Sequence, residues 1–334
     1  LACVCATLLL SGCGGNGAVT AEETKLVMGT VARLTVRADE ITSQAALRDG
    51  LAVLTATEED ADGAVLARVE ETAGMGAWTE VSPALYETLS LAQEMARQSD
   101  GAFDVTSGTL TELWDAARAA QHPPTAEEVA AAQSRVDWRA LELRMRAADD
   151  GEHPEVRLLR AGMKIDRGAL IKGLALDGIA RSWAGGGAVN ALADLGSSSI
   201  LACGVNAEGE PWRIGVRNPR GESRSDLAAT VQLSDAMLSA SGDDERYFLY
   251  EGRRYHHLVD PRTGDPAETG LASVTVILPQ DAMTGTMWAG HEGQLSDMLS
   301  TAIFVMGAER GRSLLTDIPG AQLILIGTDG RVIE

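Results

Sequence analysis

The chain has 334 residues, a formal net charge of −20 at pH 7 and 45% hydrophobic residues. This apolar content can form a large core and excludes a chain that is disordered throughout. The acidic balance and the 4% of aromatic residues argue against nucleic-acid binding, which uses a basic surface and stacking side chains.

The start of the chain is typical of a secretory signal. Its apolar run over 2–10 is far shorter than the roughly 20 residues of a membrane-spanning helix. Leu10-Ser11-Gly12-Cys13 follows this run and resembles a bacterial lipobox, in which cleavage leaves a lipidated cysteine. We therefore predict a signal remnant over 1–13, a flexible tether over 14–24, one domain over 25–334 and a lipid anchor on the extracytoplasmic side of the cell membrane.

Helix signals dominate the first part of the domain, after a weakly alternating strand over 26–37. Ser82 followed by Pro83 is an N-cap with proline at the first helical position, and Thr125 with Glu128 forms a capping box. Helices are therefore predicted over 41–71 with a break near 60–63, from Pro83 to a stop at Asp100-Gly101, after Thr125, and over 170–183 before Gly185-Gly186-Gly187.

Strand signals dominate from residue 195 onward. Cys203 lies in one of these apolar runs, which indicates a buried structural thiol. Helices followed by many strands predict an α+β fold and not a regular βαβ alternation. The predicted strands lie over 200–203, 212–216, 230–233, 247–259 with a hairpin turn at 250–253, 273–278 and 322–326; a surface loop is predicted at 291–294 and a helix over 297–306.

Six short motifs carry a family resemblance because they occur together and in order. In this set the chain resembles the ApbE-type FAD:protein FMN transferases over residues 25–330. The motifs are Met28-Gly29-Thr30, Gly101-Ala102-Phe103-Asp104-Val105-Thr106, Asp166-Arg167-Gly168 with Lys172-Gly173, Ser241-Gly242, the run from His257 through Asp260-Pro261 to Gly264, and Asp297-Met298-Leu299-Ser300-Thr301.

The resemblance implies both a fold and a reaction. The fold would be α+β of the T-fold type, a single large domain with an antiparallel sheet and packed helices. FAD would lie in a cleft with Mg²⁺ on its pyrophosphate. A Thr or Ser hydroxyl of a partner, a flavoprotein subunit of a membrane redox complex, would take FMN through a phosphoester, and AMP would leave.

The resemblance also implies the site residues. The chemistry agrees for the metal, because Asp297 and Thr301 are four apart on a predicted helix and a hard cation prefers oxygen ligands. By family position, the metal ligands are Ala169 through its carbonyl, Asp297 and Thr301. The FAD-binding positions are Met28, Ala102, Phe103, Asp104, Asp166, Lys172, Asp177 and Leu258.

Structural roles remain open for several of these residues. Asp297 could instead cap a helix. Asp104 and Asp166 could form turns, and Phe103 could pack in the core. The Lys172 ammonium could neutralise a phosphate or pair with Asp166 or Asp177.

His257 is the candidate general base. It lies three residues before Asp260-Pro261, where a strand enters a turn, and a neutral imidazole can take the proton of an attacking hydroxyl. His256 would point to the opposite face of the strand. The alternative role for His257 is a structural hydrogen bond in the turn.

The chain departs from the family pattern at several places, among them one turn. Gly196-Ser197-Ser198-Ser199 stands where the family usually has Gly-Gly-Asp. Three other functions therefore stay open beside the transferase: an Mg²⁺-dependent FAD pyrophosphatase, a non-catalytic flavin-binding lipoprotein, and a structural lipoprotein without a ligand.

Overall fold

The structure is a computed structural model that describes residues 17–223 and 225–333, without the side chains of 60–62. The predicted signal remnant and its lipobox lie outside the described residues. The helices are α1 (Glu40–Asp62), α2 (Ala64–Glu71), α3 (Pro83–Gln98), α4 (Gly108–Ala120), α5 (Ala126–Gln133), α6 (Ile171–Gly186), α7 (Glu292–Met306) and α8 (Ala308–Arg312), with 3₁₀ turns at Trp138–Ala140, Arg167–Ala169 and Ser313–Leu315.

The strands form one large antiparallel sheet and three small ones. The large sheet has eight strands in the order β1-β2-β6-β7-β10-β13-β14-β15, and the small sheets are β3-β5-β4, β8-β9 and β11-β12. The strands are β1 (Val19–Val27), β2 (Thr30–Ala38), β3 (Thr79–Glu80), β4 (Leu141–Ala148), β5 (Gly151–Leu158), β6 (Ala191–Leu195), β7 (Ser199–Cys203), β8 (Trp212–Arg217), β9 (Leu227–Leu233), β10 (Ala236–Gly242), β11 (Tyr247–Tyr250), β12 (Arg253–His256), β13 (Leu271–Pro279), β14 (Gln322–Gly327) and β15 (Val332–Ile333).

One face of the large sheet is covered by α1, α6 and α7. The alternation of strand side chains sends Leu34, Leu201 and Val276 toward these helices. Trp183 of α6 is 1% exposed, and its Nε1 donates to the Ala46 carbonyl of α1 at 3.0 Å. The two helices are thereby joined beneath the sheet, and α6 is held where its first turn faces α7.

The other face of the sheet is covered by the β8-β9 ribbon. Ile200, Leu238 and Ile277 point to this side and form a separate cluster with Leu233. The two faces therefore have separate cores, and the space between the ribbon and the sheet opens toward the N-terminal ends of α6 and α7.

Local signals in the sequence predicted several elements correctly. Gly63 separates α1 from α2, Ser82 Oγ accepts from the Leu85 N–H at the start of α3, and the Thr125 capping box opens α5. The turn between β11 and β12 has Glu251 and Gly252 at φ 49° and 80°, as a tight hairpin with positive φ requires. The α+β prediction is confirmed.

Other predictions at this level were wrong. The strand over 26–37 is a hairpin that turns at Met28-Gly29, and β1 begins at Val19, inside the predicted tether. The predicted loop at 291–294 is the start of α7, where Glu292 is 3% and Gln294 1% exposed. These polar side chains are buried because tertiary partners satisfy them, which no local pattern reveals. Several elements were not predicted: α4, α8, β3, β4, β5, β6, β10 and β15.

No helix among the described residues combines the length and the apolar character needed to cross a bilayer. Cys203 is the one cysteine in the described ranges, and it is buried and free. Burial raises the pKa of its thiol to about 11, so it is a packing residue and not a nucleophile.

Candidate active site

A cavity of about 350 Å³ lies between the β8-β9 ribbon, the large sheet and the first turns of α6. Its volume is in the range of small-molecule sites. Segments from distant parts of the chain form its wall, including five of the six motifs. Ten predicted site residues line it: Ala102, Phe103, Asp104, Asp166, Ala169, Lys172, His257, Leu258, Asp297 and Thr301.

The first wall comes from the turn before α4. Asp104 Oδ1 accepts from the N–H and the hydroxyl of Thr106, both at 2.7 Å, and its Oδ2 accepts from the Trp138 N–H at 2.9 Å. Burial raises the pKa of Asp104 to about 6 against these hydrogen bonds. Asp104 therefore shapes this turn while it faces the cavity. Phe103 is 2% exposed and packs in the core behind the wall.

The second wall is the 3₁₀ turn Arg167–Ala169 that leads into α6. The Asp166 N–H donates to the Val105 carbonyl at 2.7 Å, and Asp166 Oδ2 accepts from the Thr111 hydroxyl at 2.7 Å. Both bonds tie this turn to the first wall. Asp166 and Ala169 thus face the same space as Asp104.

Lys172 places a cation inside the cavity. Its Nζ donates to Ser198 Oγ at 2.8 Å and lies close enough to Asp297 to oppose the rise that burial causes in the pKa of that carboxyl. The open sequence alternatives for Lys172 were Asp166 and Asp177, and the structure shows a serine hydroxyl as its hydrogen-bond partner. The Ser198 hydroxyl carries no charge, so the Lys172 ammonium keeps its positive charge at the cavity, next to Asp297.

Asp297 lies in the second turn of α7, at the cavity wall. α7 begins at Glu292, so Asp297 is not the N-cap of its own helix. Its Oδ2 accepts from the Gly173 N–H of α6 at 3.2 Å and its Oδ1 from Ser199 Oγ at 3.5 Å. Burial raises the pKa of Asp297, and the nearby Lys172 ammonium opposes that effect.

Thr301 follows Asp297 by four residues and lies on the same side of α7, as the spacing predicts. Ser241 of β10 holds this side of the helix, with its Oγ 3.1 Å from Thr301 Oγ1 and 2.8 Å from Ser300 Oγ. The helix is therefore fixed against the sheet by hydroxyl contacts at the point where it lines the cavity.

The donor set offered by α7 and by the turn at 167–169 consists of oxygens. Asp297, Thr301 and Ala169 would supply a carboxylate, a hydroxyl and a carbonyl, the ligand types that a hard divalent cation takes. The described part of the chain has no cluster of three or more His, Cys, Asp or Glu side chains suited to a metal. A cation held by these three oxygens would keep other positions open for oxygens of a bound molecule.

His257 stands on the wall formed by the end of β12. Its backbone N–H donates to the Arg246 carbonyl at 3.1 Å. The ring Nδ1 is buried with no hydrogen-bond partner among the described residues. Burial lowers the pKa of His257 well below 6.5, and the charges of Arg246, His256 and Lys172 lower it further. The imidazole is therefore neutral at pH 7 and can accept a proton.

His256 faces away from the cavity, as strand alternation predicts. Its Nε2 lies 3.2 Å from the Ala267 carbonyl, and its ring packs edge-on against Phe304 at 5.5 Å between centroids. Burial lowers the pKa of His256 as well. His256 is therefore a core residue, and His257 alone of the pair lines the main cavity.

Two predicted site residues do not line the cavity. Met28 lies in the β1-β2 turn with φ 53°, and its N–H donates to Glu58 Oε1 at 2.6 Å. Asp177 is 1% exposed, and both its oxygens accept hydrogen bonds from the start of α7. Burial raises the pKa of Asp177 to about 7. The structure gives Asp177 a role between two helices and not at the cavity.

The sequence did not point to several wall residues. Ser198 lies in the turn at 196–199 and Arg246 lies just before the strand predicted over 247–259, yet nothing in their spacing assigned them a function. The apolar ribbon residues Ile214, Val216 and Leu227 also line the cavity. They carry only a strand pattern, so tertiary packing alone brings them to the site.

The turn at 196–199 has an unusual backbone for its residues. Gly196 and Ser197 both have positive φ, 73° and 63°. A Cβ on Gly196 would lie 2.0 Å from Thr30 Oγ1, so glycine is required there. Ser197 occupies a conformation that glycine prefers, and its N–H is held by Asp194 Oδ1 at 2.6 Å.

Comparison with known proteins shows the family to which this chain belongs. Residues 28–325 match the ApbE family. FAD:protein FMN transferase of Treponema pallidum (strain Nichols) is 32% identical over 344 residues, covering 98% of this chain and 91% of its own length. FAD:protein FMN transferase of Haemophilus influenzae is 28% identical and covers 86% of this chain and 78% of its own length.

Solved structures share the fold. The crystal structure of the ApbE protein from Thermotoga maritima superposes with a TM-score of 0.76 at 28% identity, covering 94% of this chain and 96% of that one. The apo form of the Pseudomonas stutzeri flavinyl transferase ApbE superposes with a TM-score of 0.75 at 24% identity, covering 96% and 95%. At this level of identity, the similarity to the Pseudomonas stutzeri structure supports the fold and not the function.

Proposed function

Because this chain belongs to the ApbE family, we propose that it is an FAD:protein FMN transferase. It moves FMN from FAD to a Thr or Ser hydroxyl of an acceptor flavoprotein and releases AMP. The observation that carries this proposal is the cavity itself, which has neutral His257 on one wall, Asp297 and Thr301 on the wall formed by α7, and Ala169 on the adjoining turn.

The proposed reaction assigns a proton and a bond to specific atoms. The acceptor hydroxyl oxygen bonds to the FMN-side phosphorus of FAD while the bond from that phosphorus to the bridging oxygen breaks. AMP leaves with the bridging oxygen. The hydroxyl proton passes to His257, whose lowered pKa keeps it ready as a base at pH 7. Lys172 stabilises the added negative charge on the phosphates.

We propose Mg²⁺ as the cofactor, held by Asp297, Thr301 and the Ala169 carbonyl. When bound, Mg²⁺ would act as a Lewis acid on phosphate oxygens. The all-oxygen donor set supports this assignment. The contact of Asp297 with the Gly173 N–H also supports it, because it fixes the carboxylate at the first turn of α6 before any ligand arrives.

For FAD itself we propose contacts along the remaining walls. Positions 102–104, Asp166, Lys172 and Leu258 line the cavity beside His257. The first and second walls offer an apolar surface and carboxyl groups for the flavin or ribose. Lys172 offers a cation for a phosphate. Met28 and Asp177 are not included, because they do not line this cavity.

The test is incubation of the purified chain with FAD, Mg²⁺ and an acceptor flavoprotein, followed by intact mass spectrometry. Covalent FMN on one Thr or Ser of the acceptor, with an equal amount of AMP, is the expected result. Free FMN and AMP without adduct would identify an FAD pyrophosphatase instead. Bound FAD without turnover would identify a flavin-binding protein, and no FAD binding would end the proposal.

We also propose that the chain is a lipoprotein, anchored by Cys13 on the extracytoplasmic side of the cell membrane, where the acceptor is a subunit of a membrane redox complex. Leu10-Ser11-Gly12-Cys13 supports this proposal. Metabolic labelling with a palmitate analogue should mark the wild type, and Cys13→Ser should abolish the label. An unlabelled wild type in the membrane fraction contradicts the anchor.

A further inference from the structure

The first turn of α7 is capped by a residue of a different helix. His291, at the N-cap position, makes no capping hydrogen bond with its side chain. Asp177 of α6 takes that role: its Oδ1 accepts from the Gly293 N–H at 2.7 Å, and its Oδ2 accepts from the Gln294 N–H at 3.2 Å. A carboxylate at this end also complements the helix dipole.

The first turn of α6 is capped from α7 in return. Leu170 at the N-cap of α6 has no capping side chain, and the Gly173 N–H donates to Asp297 Oδ2 at 3.2 Å. Each helix therefore supplies a carboxylate to the first turn of the other. The two caps lie on one crossing, so a shift of either helix disturbs both.

Glycines make this crossing close. A Cβ on Gly173 would lie 2.6 Å from Gln294 Cα, and a Cβ on Gly293 would lie 2.5 Å from Asp177 Oδ1. Neither position has room for a side chain without movement of a helix. Gln294 adds a side-chain bond, with Nε2 donating to Asp177 Oδ2 at 3.0 Å. The contact between α6 and α7 is therefore close, and the hydrogen bonds to Asp177 fix the position of one helix relative to the other.

We propose that Asp177 is a positioning residue that fixes α7 against α6 and thereby orients Asp297 and Thr301 toward a divalent cation. The proposal rests on the proposed function, which supplies the cation. Asp177 is 1% exposed and has all its hydrogen bonds at this crossing, so it can act on the site only through α7. Its loss leaves the first-turn N–H groups of α7 without their acceptor and frees the helix to shift.

The experiment measures metal binding without turnover. Mn²⁺ is titrated into the full chain with saturating FAD and no acceptor, and free Mn²⁺ is followed by electron paramagnetic resonance. Asp177→Asn is expected to raise the Kd for Mn²⁺ by roughly 10–100-fold, as for other residues that orient metal ligands. FAD affinity in EDTA, measured by flavin fluorescence, is expected to change little.

The matched control is Asp39→Asn. Asp39 caps α1 with its Oδ1 accepting from the Thr42 N–H at 3.1 Å, and it does not line the cavity. This variant makes the same Asp-to-Asn change at a helix cap away from the crossing and is expected to leave the Mn²⁺ affinity unchanged. If Asp177→Asn does not fold, Gln294→Met removes one bond to Asp177 and is expected to weaken Mn²⁺ binding in the same direction by a smaller factor.

An unchanged Mn²⁺ affinity in the folded variant, or a wild type that does not bind Mn²⁺, overturns the positioning role. FMN transfer by the wild type is measured separately. A wild type that transfers FMN while Asp177→Asn binds Mn²⁺ normally therefore leaves the proposed function intact and removes only this inference.

Discussion

The backbone N–H of His257 donates to the carbonyl of Arg246 at 3.1 Å, which joins the proposed base to an exposed cation at the mouth of the cavity. Both residues line the cavity. The pairing keeps a positive charge close to the imidazole and so contributes to the low pKa of His257, after burial. The base is thus kept neutral by burial and by the neighbouring positive charges.

Replacing His257 with alanine should lower kcat for FMN transfer by about 10²–10⁴-fold, the usual contribution of a general base. FAD binding should persist, because the other cavity walls remain. Single-turnover kinetics and flavin fluorescence measure the two effects. His153→Ala, at a site outside the cavity, is the control. Transfer at the wild-type rate by His257→Ala would remove His257 from the mechanism.

The pH profile should follow from the lowered pKa of His257. The neutral form is the active base, and protonation in the folded protein occurs only well below pH 6.5. The rate should therefore stay level as pH falls from 7.5 to 6.5 and decline only at lower pH. Profiles of kcat/KM for FAD test this, and an acid limb above pH 6.5 contradicts it.

Arg246→Gln should move that acid limb to higher pH. Removal of the cation relieves one cause of the low pKa, so protonation of His257 begins earlier as pH falls. Arg253→Gln makes the same charge change on the same hairpin but outside the cavity, and it should leave the limb in place. Equal profiles for Arg246→Gln and the wild type would count against this coupling.

Asp297→Asn should impair metal-dependent activity without destabilising the fold. The amide oxygen can still accept from the Gly173 N–H, and removal of a buried charge is not costly here. The free energy of unfolding in EDTA should therefore be unchanged or slightly higher. FMN transfer should fall at least ~100-fold, since loss of a Lewis acid costs several kcal/mol in the transition state. An unaltered Mg²⁺ dependence in this variant contradicts the assignment.

Gly173→Ala should destabilise the chain by about 1–3 kcal/mol, because its Cβ meets the backbone of Gln294 at 2.6 Å. Gly185→Ala is the control on the same helix, since its Cβ has nothing within 4 Å. That control should be neutral or more stable by up to about 1 kcal/mol. Urea unfolding, monitored by circular dichroism, compares the free energies of unfolding of the two variants. Equal values would show that α6 and α7 can move apart at no cost to accommodate the added methyl group.

Ser197→Gly should stabilise the chain by up to about 1 kcal/mol, because the residue has φ 63° and glycine adopts that conformation without strain. Gly196→Ala should have the opposite effect, since its Cβ would lie 2.0 Å from Thr30 Oγ1. Thermal unfolding of both variants tests the turn. A loss of stability in Ser197→Gly would mean that the serine side chain contributes contacts of its own.

The sequence by itself determined what short-range chemistry encodes. Ser82 and Thr125 begin helices, and Glu251-Gly252 forms a hairpin, because each signal lies within four residues of the groups it satisfies. The family resemblance carried by the ordered motifs likewise pointed to His257 and Asp297, which both line the cavity.

Only the tertiary structure decided the start of α7 and the role of Asp177. Asp177 accepts from backbone N–H groups 116 and 117 positions away, and Gly173 and Gly293 permit the close contact. The polar residues at 291–294 therefore predicted a loop, although they are buried in a helix. A cap supplied by another helix leaves no local pattern, because the donor and the acceptor meet only after the chain has folded.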